Sequence, residues 1–149
     1  MSTASDLTKR IDNFDQFLDE RMPVLYEFAQ SLRLPAPHAI LTDPMSVLSG
    51  ISAWLALQHI EQEDRAWVLS RVGYYIGELL VTHYSGAWLV CTAPASRFYG
   101  RYVVGQFRDF DNAESLADPF EAAAVCIDEP PGRSLENIIN GIVASLRAA

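Results

Sequence analysis

The run from Arg65 to His83 constrains the fold more than any other part of the chain. Val68, Val72, Ile76, Leu79 and His83 fall along one side of a helix, with Leu69, Gly73, Gly77, Leu80 and Tyr84 in a row beside them. Two glycines four apart inside a helix cost about 1 kcal/mol each relative to alanine. Such a cost is normally offset where another backbone approaches closely. Gly73 and Gly77 are therefore predicted to mark a tight crossing, around which the remaining elements must be arranged. Glu78 falls between the two apolar rows and is the one acid in residues 65–108. A carboxylate placed there needs a cation, and Arg71, Arg97 or Arg101 is expected to supply it.

Other helices are legible on both sides. Leu7, Ile11, Phe14, Leu18, Leu25, Phe28 and Leu32 make one apolar stripe down about seven turns, capped at Ser5 or Asp6 and kinked at Pro23. Residues 34–43 read as a loop. Asp43-Pro44 is a cap-and-proline start for a second helix running to about Ile60, and Asp64 is placed as the cap of the third. Beyond His83 the period changes. Gly86 is assigned the left-handed helix cap. Ala87–Thr92 and Arg97–Phe107 read as an antiparallel pair, with Gly100 and Gly105 as candidate bulges. Trp88 is expected to be buried against the third helix. Asp118-Pro119 opens a short helix, and Ser134 caps a last amphipathic one. The order gives an α+β fold: three N-terminal helices, a small antiparallel hairpin and two C-terminal helices. With no linker or internal repeat, residues 1–149 are read as a single domain.

Composition narrows the function classes. The formal net charge is −8, and residues 109–149 hold eight acids against Arg133 and Arg147. That balance argues against a nucleic-acid partner and for a basic protein partner. The longest apolar stretch, from Val47 to Leu57, is too short and interrupted to span a bilayer. The N-terminus has no apolar signal core, so a cytoplasmic location is expected. Lys9 is the one lysine against ten arginines, a bias that suggests a GC-rich bacterial genome. Cys91 and Cys126 read as buried thiols.

Catalytic signatures are sparse. His38, His59 and His83 are scattered, and no zinc, calcium, P-loop or G-x-S-x-G spacing occurs. Cys91 and His83 are near each other in sequence, but Cys91 lacks the electropositive setting of a reactive thiol. No cofactor or metal is expected. Residues 108–121 hold five acids and one arginine. This loop is read as the partner-binding site, with Asp109, Asp111, Glu114 and Asp118 supplying charge and Phe110 serving as an apolar anchor ringed by that charge.

Gly73-x-Tyr75-x-Gly77-Glu78, then Gly86-x-Trp88, then Asp118-Pro119-Phe120 resembles a pattern in small uncharacterised bacterial domains. In those, a G-x-Y-x-G-E helix leads into a G-G-x-W strand; here Ser85 stands at the first glycine of the second element. The resemblance spans about residues 65–125 and implies a fold more than an activity. By analogy with small acidic bacterial proteins of this kind, it implies an immunity protein that neutralises a toxin. A secretion chaperone or homodimeric scaffold, using exposed aromatics of the second strand, is the alternative, and a small enzyme with a dispersed site comes third.

Overall fold

The computed structural model describes residues 4–112 and 114–148. Among them the chain forms α1 (Ala4–Asp12), α2 (Phe14–Ser31), α3 (Ala39–Thr42), α4 (Leu48–Leu57), α5 (Arg65–Tyr84), β1 (Ala87–Val90), β2 (Tyr102–Gly105), α6 (Pro119–Ile127) and α7 (Leu135–Ala148). The two strands form an antiparallel sheet, in register from Ala87 opposite Gly105 to Val90 opposite Tyr102, and α5 packs on both of them. The sheet gains one further rung, where Val104 and Ala117 exchange backbone hydrogen bonds of 2.9 Å.

Helix α5 is the axis of the molecule. Every residue from Val72 to Leu80 is buried, and α2, α6 and both strands pack on it. Two hydroxyls carried into this core find acceptors: the Tyr75 hydroxyl donates to the Pro44 carbonyl at 2.7 Å and the Tyr74 hydroxyl to that of Phe17 at 3.2 Å. Burial pushes the Tyr74 phenol up to about 12. Arg133, 5% exposed, was not singled out by the sequence. Its guanidinium donates to the carbonyls of Leu55, Gln58 and Glu129, closing the end of α4.

The crossing at Gly73 and Gly77 is tight, but its partners are rings and not another backbone. A Cβ on Gly73 would run into the Phe120 ring, and one on Gly77 into the indole of Trp88. Trp88 is 8% exposed, buried against α5 as predicted.

Several boundaries differ from the sequence reading. The N-terminal stripe is interrupted at Asn13, a break the sequence reading did not place, while α2 continues across Pro23 in keeping with the unbroken stripe there. The side chain of Ser5 lies outside the described residues. Asp43 does not cap through its side chain; a 3-10 turn, Pro44–Val47, precedes α4. Asp64 likewise makes no side-chain cap bond. Residues 34–43 contain the four-residue α3. The left-handed residue after α5 is Ser85, with φ 58°, and not Gly86. Gly86 instead leaves room for Phe107 and Val104. The strands are shorter than predicted because residues 94–100 turn, with Gly100 at φ 79°. The regular register leaves no bulge at Gly105, whose missing side chain accommodates Leu116. The caps at Asp118 and Ser134 are present: Asp118 Oδ1 accepts from the amides of Phe120 and Glu121, and Ser134 Oγ from that of Asn137.

Candidate functional site

The acidic loop after β2 divides into two sets of residues. Asp109, Asp111 and Glu114 are exposed, and no described side chain pairs with their carboxylates. The Glu114 amide donates to Asn112 Oδ1 at 2.9 Å, which shapes the turn between them. Phe110 does not join them at the surface. It is 8% exposed, stacks on Tyr84 with ring centroids 5.5 Å apart and meets Phe107 edge-on at 5.3 Å. An apolar ring between two aspartates can be covered by the protein's own core as readily as by a partner. Here it anchors the loop and leaves Asp109 and Asp111 facing water.

Asp118 also departs from its expected role. Its side chain is 7% exposed; Oδ1 caps α6, and Oδ2 accepts from Arg101 Nη1 at 3.1 Å. Arg101 also holds Glu121 at 2.9 Å, and Arg97 holds the same carboxylate through two hydrogen bonds. Hydrogen bonding from Arg97, seconded by Arg101, draws the Glu121 carboxyl below its ordinary range. This network edges a groove of about 320 Å3 between α6 and α7. Val125 on α6 lines it, 56% exposed.

Glu78 is buried, but its cation is Arg21 of α2, with Nε 3.4 Å from Oε2, and none of Arg71, Arg97 and Arg101. Arg97 and Arg101 are held by the α6 carboxylates, and Arg71 lies over the Trp67 ring. Burial raises the Glu78 carboxyl above the ordinary range; Arg21 and the nearby Trp88 indole N–H pull it back without cancelling the rise. The pair is held inside the protein, with no hydrogen bond completed at Oε2, at Arg21 Nε or at Trp88 Nε1. Its position between α2, α5 and β1 is that of a structural bridge.

Of the aromatic residues expected on the second strand, Phe107 is buried, and Phe98, Tyr99 and Tyr102 are half-buried. Phe107 is 2% exposed. Tyr102 stacks on Phe17 at 4.2 Å and donates its hydroxyl to the Arg10 carbonyl at 2.8 Å. Cys91 and Cys126 are buried free thiols, and burial pushes the Cys126 thiol up to about 11, away from reactivity. Among the described residues no three His, Cys, Asp or Glu side chains gather to hold a metal ion, and no helix is long and apolar enough to cross a membrane. No protein-family model, curated protein or solved structure matches the chain.

Proposed function

We propose that this protein is a cytoplasmic binding domain that captures a basic protein partner on its acidic loop, in the manner of an immunity protein neutralising a bacterial toxin. One observation carries the reading: Asp109, Asp111 and Glu114 stand exposed and unpaired on a loop pinned by the buried Phe110. Fixed carboxylates on a rigid support raise the local concentration of a basic partner and speed its association. Anchoring the loop beforehand also reduces the ordering cost of binding. The role is binding and not catalysis; it needs no metal, cofactor, nucleic acid or membrane.

The test uses wild type and the Asp109→Asn/Asp111→Asn variant as paired baits in the native host's lysate. A basic protein retained by wild type at physiological salt and lost by the variant supports the reading. A partner held equally by both removes the loop from consideration.

A second reading, a homodimeric scaffold, is favoured by the exposed Val125 beside the α6–α7 groove. It requires a dimer in solution that Val125→Glu dissociates. A light-scattering mass of one chain at about 100 μM eliminates it.

A further inference from the structure

Trp54 on α4 and Trp67 in the first turn of α5 both line a cleft of about 190 Å3, together with Gln58, His59 and Asp64. Both indoles rest on the same buried ring. Phe28 meets Trp54 at 6.0 Å and 89°, and Trp67 at 5.8 Å and 69°. The rings are thereby fixed, while Trp67 remains 40% exposed. Trp67 already takes a cation: the Arg71 guanidinium lies 4.8 Å from its centroid.

Charge around the cleft is negative. Glu61, Glu63 and Asp64 are exposed and have no cationic partner among the described residues. Arg65 is neutralised away from the cleft, holding Asp128 through bonds of 2.8 and 2.9 Å, whereas Arg71, which donates to Ser70 Oγ, covers one side of Trp67 and offsets one of the three negative charges. Two fixed indoles beside a carboxylate are the groups that recognise alkylammonium ions, through the negative faces of the rings and the opposite charge. A volume below the roughly 300–1,000 Å3 of drug-sized sites suits a methylated head group and a short carbon chain.

We infer that the Trp54–Trp67 cleft is a binding site for an organic ammonium ion, held by the two indole rings and the Asp64 carboxylate. The site is independent of the acidic loop. Phe110 packs at Tyr84, about 25 Å from Trp67 along α5 at 1.5 Å per residue.

The chain's three tryptophans give the test its internal control. Choline chloride is titrated into the intact protein while the indole N–H resonances of Trp54, Trp67 and Trp88 are followed by NMR. The Trp67→Leu variant identifies its own signal, and Trp54→Phe identifies the second. Choline is expected to shift Trp54 and Trp67 saturably and leave Trp88 in place. Its uncharged isostere, 3,3-dimethylbutan-1-ol, is expected to bind at least about tenfold more weakly, since only the cation–π and charge contributions separate the two ligands. Asp64→Asn is expected to weaken choline about 1.5-fold to fivefold with an unchanged circular dichroism spectrum. A peptide bearing trimethyllysine forms a second arm. Tighter binding than choline identifies the source as a side chain on a protein, and equal binding a free ammonium compound. Saturation by neither probe, or equal affinity for the uncharged isostere, overturns the assignment.

Discussion

Giving Gly77 a single methyl group tests the central crossing of the fold. A Cβ there stands 2.8 Å from Trp88 Cε2 and closer still to Cζ2 and Cη2, where ordinary contact begins at 3.4 Å. The indole has little room to retreat, because Phe17, Phe120 and Tyr74 surround it with ring centroids 5.0, 6.0 and 6.4 Å away. Overpacking of this kind costs about 1–3 kcal/mol. Replacing a mid-helix glycine by alanine returns about 1 kcal/mol of helix propensity, so Gly77→Ala loses a net ~1 kcal/mol, roughly 2–4 °C in Tm. Gly141 supplies the control. It is exposed in α7 and nothing lies within 4 Å of its added Cβ, so Gly141→Ala gains about 0.5–1 kcal/mol. The propensity gain is common to both variants, and their difference, about 1–3 kcal/mol, isolates the clash. The crowding atoms Cζ2 and Cη2 belong to the six-membered ring of Trp88. Trp88→Phe withdraws that bulk and should make Gly77→Ala less costly than it is in wild type. Urea unfolding followed by far-ultraviolet circular dichroism measures wild type, the three single variants and the Gly77→Ala/Trp88→Phe double variant. Equal stability of Gly77→Ala and Gly141→Ala would refute the crossing as described.

Four further outcomes are expected. Asp109→Asn/Asp111→Asn should slow association with a basic partner and flatten its salt dependence in stopped-flow measurements, while leaving Tm unchanged; an unaltered rate rejects the loop as the site. Glu78 binds its proton more tightly folded than unfolded, so its contribution to stability falls as pH rises through and above the ordinary carboxylate range. The Tm of Glu78→Gln minus that of wild type should therefore become more positive from about pH 4 to pH 7, and a flat or falling difference contradicts the burial. Asp118→Ala removes two amide contacts at the start of α6 and the Arg101 bond; it should lower stability by about 1–2 kcal/mol in urea unfolding, and no loss would show the cap to be idle. Acrylamide should quench Trp67 well before Trp88 in single-tryptophan variants, and the reverse order would contradict their burial.

The extent to which this architecture is written in the sequence depends on the range of the forces involved. Helix α5 and the caps at Asp118 and Ser134 are local patterns, set by periodicity and by side chains bonding amides two or three residues on. Glycine spacing announced a close approach at residues 73 and 77, but glycine carries no record of what approaches it. The identity of Trp88 and Phe120 as the neighbours depends on pairing across the fold. The same limit explains Glu78: five arginines flank it in residues 65–108, yet Arg21, on another helix, is the one that reaches it. Phe110 shows the converse difficulty. Its neighbours in sequence are charged, whereas its neighbours in space are Tyr84 and Phe107. The Trp54–Trp67 cleft joins two helices through Phe28 of a third, and no spacing rule connects these positions. With these contacts known, Gly73-x-Tyr75-x-Gly77-Glu78, Trp88 and Phe120 read as one packing unit: each glycine receives one ring, and Glu78 lies beside the Trp88 indole.

The guanidinium of Arg133 carries an implication for how the chain is made. It closes the end of α4 by reaching Leu55, 78 positions earlier, and the adjacent Gly132 amide donates to the Ala56 carbonyl at 2.7 Å. Until the ribosome has released residue 133, the carbonyls at the end of α4 lack their partners and the apolar face of α4 lacks α7. At about 5–20 residues per second, the interval between emergence of α4 and arrival of its closing residue is roughly 4–15 s. A nascent chain stalled before residue 133 should remain open to protease, and one extended past α7 should close.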